Sequence, residues 1–209
     1  MFLKPLLLID IDGTYYDGFI KDDKKIIKEI FFNNRFINFI DSIAWFINSF
    51  DLISNSFNIL KFRLKIYSLL TGKNYLNILE SYKILYEKNF FNNIKEKNEG
   101  IEKIQKMYKI IFISANPYAV AIINNQGYKC YRVKNIVDRV ALYDMLRYYY
   151  YGCILAIVGN NYVDDIWIAK KFGYKSVYIG KSIIIDLLKK DYKYKSFKEF
   201  VKQARILYP

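Results

Sequence analysis

An α/β fold, a doubly wound parallel sheet interrupted by an all-helical insertion, is what the order of elements in this chain predicts, and three observations carry it. An apolar run, Leu6-Leu7-Leu8-Ile9, ends in two carboxylates, Asp10 and Asp12. From about Asp22 to Tyr108 apolar residues recur at three and four, the period of helices. After Tyr108 short apolar runs alternate with helical patterns, as in strand–helix units that build a parallel sheet covered on both faces.

Residues 6–10 read as the first strand, since four consecutive apolar residues suit a strand buried on both sides, and Gly13-Thr14 reads as the turn leaving it. Residues i and i+2 of a strand share a side, so Asp10 and Asp12 are predicted close together at its carboxyl end. Two carboxylates so placed repel unless a cation lies between them. Mg²⁺ is the hard cation suited to oxygen ligands, and a phosphate is the substrate such a cation most often brings. Residues 15–20 read as a short loop or hairpin. Phe36, Phe39, Ile40, Ile43, Phe46, Ile47 and Phe50 make one apolar helical face, and Tyr75, Leu79, Tyr82, Leu85 and Tyr86 make another. Between them Phe57 to Leu70 gives a third helix, ended by Thr71-Gly72. Together these predict a bundle inserted between the first and second strands. The stretch from Phe36 to Leu60 has only Asp41 and Asp51 as formal charges, and it lacks the Lys and Arg of an interfacial membrane helix. Packing inside the bundle, or closing over a partly apolar substrate, is expected of it.

Further strands are predicted at 109–113, 130–133, 153–158 and 176–179, with helices at about 117–126, 138–150, 164–172 and 183–190. Gly127 and Gly173 stand where helix C-caps are wanted. Asp191 to Leu207 reads as a brief extended piece followed by an amphipathic helix, Phe197–Leu207. The run Tyr148 to Tyr151 is read as aromatic packing at a helix end in preference to base stacking.

Composition narrows the chemistry. A chain of 209 residues suits one α/β domain with a sizeable insertion or two small domains. It has no apolar run of the length needed to span a bilayer, and its first apolar run ends in acids instead of a small-residue cleavage site. Cys130 and Cys153 lie in or beside predicted strands without CxxC spacing, as expected of core thiols in a reducing cytoplasm. With no histidine, a His base, a His metal ligand and a Ser-His-Asp triad are all excluded, leaving carboxylates, hydroxyls, amines and a hard metal. The net charge of +13 would attract phosphorylated or polyanionic partners. The excess is mostly lysine, abundant together with Ile, Asn, Tyr and Phe, a bias that AT-rich coding produces unaided. A dedicated nucleic-acid partner is therefore not expected.

Asp10-Ile11-Asp12-Gly13-Thr14 resembles the first motif of the haloacid dehalogenase-like (HAD) superfamily of phosphohydrolases, and three more segments follow in that family's order. They are Ile110-Ile111-Phe112-Ile113-Ser114, a basic residue opening a helix, and Leu155 to Asp165, a strand running into Gly159 and then acids. Arg139 is the better candidate for the basic residue because a helical pattern follows it; Lys134 is the other, since Lys is the usual family residue. Either could equally be a solvated helix-end cation.

The resemblance implies a HAD-like Rossmannoid core at 1–19 and 100–209, with a helical cap at about 20–99 as in phosphoserine and phosphoglycolate phosphatases. It implies Asp10 as nucleophile, forming an aspartyl-phosphate, and Asp12 as the acid that protonates the leaving oxygen and then deprotonates water. An Asp at position 12 goes with phosphatases and phosphomutases, whereas dehalogenases and transport ATPases have other residues there. Ser114 would hold a phosphoryl oxygen with the backbone N–H groups of Ile11 and Ala115, while Gly13 and Thr14 complete the phosphate loop. Mg²⁺ would lie among Asp10, Asp12, Asp164, Asn160 and Asp165. Asn160 departs from the family, which usually has an acid directly after the Gly, and weaker metal affinity is expected from it. Asp164 has the usual spacing for the next acid and Asp165 fits a longer variant; Asp164 could also cap a helix beginning at Ile166. The function implied is a Mg²⁺-dependent phosphomonoesterase acting on a small phosphate ester. The alternatives are a nucleotide or polynucleotide-end phosphatase, a phosphomutase and a non-catalytic binding protein of the same fold.

Overall fold

Leu6, Leu7, Leu8 and Ile9 are all buried because the strand they form runs through the middle of a sheet covered on both sides. The computed structural model describes residues 4–16, 19–32, 34–48, 57–94, 98–150, 153–180 and 190–207. Strand β1 (Leu6–Asp10) is followed by α1 (Phe19–Ile30), α2 (Arg35–Asn48), α3 (Phe57–Thr71), α4 (Tyr75–Ile94) and α5 (Asn98–Gln105). Then come β2 (Lys109–Ser114), α6 (Pro117–Asn125), β3 (Cys130–Arg132), α7 (Ile136–Tyr150) and β4 (Ile154–Gly159). A π-helical turn, Tyr162–Trp167, runs into α8 (Ile168–Lys171), and β5 (Lys175–Ile179), β6 (Tyr192–Tyr194) and α9 (Phe197–Gln203) follow. The last turn, Ala204–Leu207, tightens to 3₁₀.

The sheet order is β3-β2-β1-β4-β5-β6, with every neighbouring pair parallel. Side-chain alternation sorts β1 between two cores. Leu7 and Ile9 join an apolar cluster with Ile104 of α5, Ile123 of α6 and Phe200 of α9, while Leu6 and Leu8 join one with Tyr143 and Leu146 of α7 and Ile168 of α8. The predicted doubly wound α/β fold is therefore present. The strands fall where the sequence places them, and the brief extended piece after Asp191 is a sixth parallel strand. The helix read at 164–172 begins earlier, as the π-helical turn at Tyr162. The helix expected at 183–190 falls, but for its last residue, outside the described residues. Neither Cys130 nor Cys153 is part of a disulfide. No described helix is long and apolar enough to cross a membrane.

Helices α1 to α4 pack on one another, and α4 also contacts α6 of the sheet layer. Tyr82, Tyr86 and Phe90, four apart along α4, are fully buried and continue the α5-side cluster into the inserted helices. Each large side chain so buried contributes roughly 1.5–3 kcal/mol.

Helix α2 corrects the sequence reading. Phe36, Phe39 and Ile43, expected to pack inside the bundle or to close over a substrate, are 59%, 64% and 46% exposed, whereas Ile37 and Asp41 point inward; Ile40 is partly buried against the core, and the side chains of Phe46, Ile47 and Phe50 lie outside the described residues. Asp41 decides the rotation. Its carboxylate accepts from Tyr67 at 2.8 Å and lies 3.5 Å from Arg63 Nε, and Arg63 Nη2 meets the fully buried Asp23 of α1 at 2.5 Å. Tyr82 also donates to Asp23. A buried carboxylate needs such partners more than an apolar side chain needs cover, so the polar network sets the face. In the tyrosine run, read as aromatic packing at a helix end, Tyr148 and Tyr149 are exposed and meet edge to face in the last turn of α7, Tyr150 packs partly buried on the α7-side cluster, and Tyr151 lies outside the described residues.

Candidate active site

Asp10 ends the central strand, and the chain then folds into a tight loop. Thr14 and Tyr16 N–H both donate to Ile11 O, at 3.1 and 2.8 Å, and Gly13 N–H donates to Tyr16 O at 2.9 Å. Gly13 has φ +88°, and a Cβ there would come within 2.2 Å of Asn160 Nδ2. Only glycine meets both demands. The fully buried Thr14 places its hydroxyl 3.4 Å from Asp10 Oδ2 and 3.3 Å from Asn160 Oδ1, so the first and last motifs are joined through it.

Asp10 lies on the same side of β1 as Leu6 and Leu8, the side that faces α7, which is why a residue of α7 can reach it. That residue is Arg139. It is only 3% exposed, with Nη2 3.4 Å from Asp10 Oδ1 and Nη1 2.5 Å from Asp165 Oδ1 and 3.1 Å from Asp164 O. Lys134, the other candidate, is exposed, and its N–H donates to the Asp138 carboxylate at the start of α7. Asp165 Oδ2 accepts the Asn161 N–H at 3.0 Å, so both its oxygens are engaged, and it acts as the partner of Arg139. Gly159 permits this, because a Cβ there would lie 2.0 Å from Asp165 Cγ. Asn161, not Asp164, caps the π-helical turn: its side chain accepts the Asp164 N–H at 2.9 Å.

Asp12 points towards the inserted helices. Tyr86 of α4 donates to Asp12 Oδ1 at 2.6 Å, and the side chain of Asn116 hydrogen-bonds the same carboxyl. Asn116 also caps α6 by accepting the Tyr118 N–H at 3.0 Å, and its own N–H donates to Ser114 Oγ at 2.9 Å. Ser114 is buried at the end of β2, one residue beyond the partner of Asp10, with Ala115 half-buried beside it. Neither Tyr86 nor Asn116 was singled out from the sequence. Asn116-Pro117 after a strand carries a helix-cap signal, whereas Tyr86 is visible only as part of an apolar face.

Charge is unbalanced here. Burial pushes Asp10 well above the ordinary carboxylate range, Asp165 adds to this, Arg139 opposes it, and Asp12 and Asp164 raise it further. Burial lifts Asp12 to about 6 against the hydrogen bonds of Tyr86 and Asn116. Asp165 is likewise lifted to about 6 by burial, with Arg139 pulling the other way. An excess of carboxylates facing a single guanidinium is the setting a divalent cation relieves. Among the described residues no three acidic or cysteine side chains close into a metal cage by themselves. The carboxyl of Asp12 is turned to Tyr86 and that of Asp165 to Arg139. The residues present still fit a hard cation held by Asp10 and the buried Asp164, whose charge acts on Asp10, together with neutral oxygens. The bridge between Asp12 and Tyr16 uses the groups flanking Asp12 and leaves Asp12's own carbonyl out of the pairing, and Asn160 Oδ1 lies one hydroxyl from Asp10.

Solved structures share this fold. A 2-haloacid dehalogenase from Pseudomonas syringae pv. Tomato DC3000 superposes with a TM-score of 0.55 at 16% identity, over 98% of this chain and 100% of that one. The chain has the haloacid dehalogenase-like fold. Another HAD structure, the hydrolase YfnB from Bacillus subtilis bound to magnesium, matches with a TM-score of 0.61 at 11% identity, over 99% of both chains. A HAD phosphatase from Thermococcus onnurineus matches at 0.54 and 17% identity, over 96% of this chain and 97% of that one. No family model matches the sequence, and no curated protein matches it significantly. The likeness therefore lives in the backbone.

Proposed function

We propose that this chain is a phosphomonoesterase that works through an aspartyl-phosphate on Asp10, with Mg²⁺ as its metal and a small phosphate ester as substrate. The observation that carries the reading is Asp10 itself: a carboxylate at the carboxyl end of the central strand, touched by a buried Arg139 and followed two residues on by a second, separately held carboxyl. In the first step an oxygen of Asp10 attacks phosphorus, the ester P–O bond breaks, and the departing oxygen takes a proton from Asp12. In the second, water attacks the same phosphorus, Asp12 takes its proton, and the bond to Asp10 breaks to release phosphate. Arg139 offsets negative charge on the phosphoryl group, and Ser114 with neighbouring N–H groups holds its oxygens. Asp10, Asp164, Asn160 and the carbonyl of Asp12 would hold Mg²⁺, which would screen the nucleophile from the phosphate it attacks.

Asp12 supports a phosphatase over a dehalogenase, because a halide leaves without needing a proton. The contact of α4 with α6 supports a small substrate, since the inserted helices then cap the strand ends and exclude water. The test is hydrolysis of 4-nitrophenyl phosphate with Mg²⁺. Turnover should be abolished by Asp10→Asn and by chelation, and acid-quenched protein should carry a hydroxylamine-labile phosphate. Full turnover by Asp10→Asn would remove the assignment.

A further inference from the structure

Tyr86 belongs to an inserted helix, yet it is fully buried and its hydroxyl donates to Asp12 Oδ1 at 2.6 Å. Its ring is wedged against Tyr16, Phe90 and Tyr118, at centroid distances of 5.9, 5.7 and 6.1 Å. Two turns further along α4, Asn93 donates to Asp22, which also accepts the Tyr16 hydroxyl at 2.6 Å, so α4 is pinned beside the loop that carries Asp12.

A carboxyl on a tight loop rotates readily about its last bond. Asn116 holds Asp12 from the sheet side, and Tyr86 holds it from the opposite, inserted layer. We propose that Tyr86 is a positioning residue that fixes the Asp12 carboxyl for proton delivery to the leaving oxygen, so that helix α4 completes the catalytic apparatus of the core. This rests on the phosphomonoesterase reading. Asp10 O–P forms as the ester P–O bond breaks, and the Asp12 proton passes to the departing oxygen. How much that proton matters depends on the ester: an alkoxide cannot leave without it, whereas 4-nitrophenolate can. A defect in placing Asp12 must therefore grow as the leaving group becomes more basic.

The experiment compares kcat/KM for ethyl phosphate and for 4-nitrophenyl phosphate, with saturating Mg²⁺, in wild type, Tyr86→Phe and Tyr82→Phe. The ratio reports the first chemical step and is independent of how fast water clears the aspartyl-phosphate. Tyr86→Phe keeps the buried ring and removes one hydrogen bond to a charged group. It should lower kcat/KM for the alkyl ester about tenfold or more, and for the aryl ester by no more than about threefold. Tyr82→Phe loses its bond to Asp23 instead and should leave the ratio of the two esters at the wild-type value. Parallel loss on both esters in Tyr86→Phe, no loss on either, or the same skew in Tyr82→Phe would overturn the role of Tyr86 while the phosphatase reading stands. A wild-type chain that turns over neither ester overturns both.

Discussion

Arg139 bridges two carboxylates that would otherwise face each other: its Nη1 lies 2.5 Å from Asp165 Oδ1 and its Nη2 3.4 Å from Asp10 Oδ1. The planar guanidinium spans both at once, and the buried side chain cannot be replaced by water.

Arg139→Lys should therefore fail despite keeping the charge. A single ammonium has neither the reach nor the fork to hold both acids. Turnover of an aryl phosphate is expected to fall at least about tenfold, and Arg139→Met should in addition cost about 3–5 kcal/mol of stability, the usual result of stranding buried carboxylates. Denaturant midpoints alongside kcat measure both. Wild-type turnover in Arg139→Lys would show that one contact suffices.

Gly159→Ala should damage the site from beneath. The added Cβ would meet Asp165 Cγ at 2.0 Å, forcing the carboxylate off Arg139. Overpacking of this kind costs about 1–3 kcal/mol. Activity is expected to drop with it even at temperatures where the protein stays folded. Gly13→Ala should be at least as harmful, since it adds left-handed strain to a 2.2 Å clash with Asn160. If either variant keeps full activity, the loops are softer than their packing implies.

Stability should fall as pH rises through the site's titration. The folded-state values of Asp12 and Asp165 are raised from 3.8 to about 6, so the folded protein holds protons that the unfolded chain releases between those limits. The unfolded state then binds fewer protons, and the stability contributed by the protonated forms is lost as pH climbs from about 4 to about 6. Mg²⁺ should reverse this loss where the acids are ionised. Thermal unfolding is expected to shift upward on adding Mg²⁺ at about pH 7.5 and hardly at all at about pH 4.5. Equal shifts at both pH values would disconnect the metal from these carboxylates.

Arg63→Met should destabilise the inserted helices although Arg63 itself touches none of the proposed catalytic side chains. Asp23 is fully buried and Asp41 nearly so, and both depend on Arg63, so the expected cost is about 3–5 kcal/mol. Phe39→Ser, on the exposed side of α2, should stay within about 0.5 kcal/mol of wild type. Far-UV circular dichroism melts distinguish the two. A large effect of Phe39→Ser would mean that this face is covered in solution.

The sheet was legible in the sequence because its strands are continuous apolar runs, Leu6-Leu7-Leu8-Ile9 and Ile110 to Ile113, and a strand buried on both sides leaves no other pattern. Asp10 and Asp12 stand out in the sequence because charge at the end of such a run has no structural excuse, whereas Asp164 comes only with the family resemblance. Helix α2 was misread for the converse reason. Periodicity scores Phe36, Phe39 and Ile43 as a core face, but it cannot see that Asp41 on the other side will find Arg63 and Tyr67 from a helix that comes later in the chain. Tyr86 escaped notice for the same reason, as its partner lies on a loop far away in sequence. The choice between Arg139 and Lys134 needed three dimensions, since only the register of α7 against β1 decides which cation turns inward.

The central place of β1 has a consequence for how the molecule is made. Its two neighbours in the sheet begin at Lys109 and Ile154, so β1 must wait for the whole insertion before one edge is paired and for β4 before the other. Such distant pairing makes for slow folding and a long-lived, sticky intermediate. The surroundings of Asp10 at its tip, the proposed nucleophile, therefore form late in folding, and chains cut short before β4 should be inert.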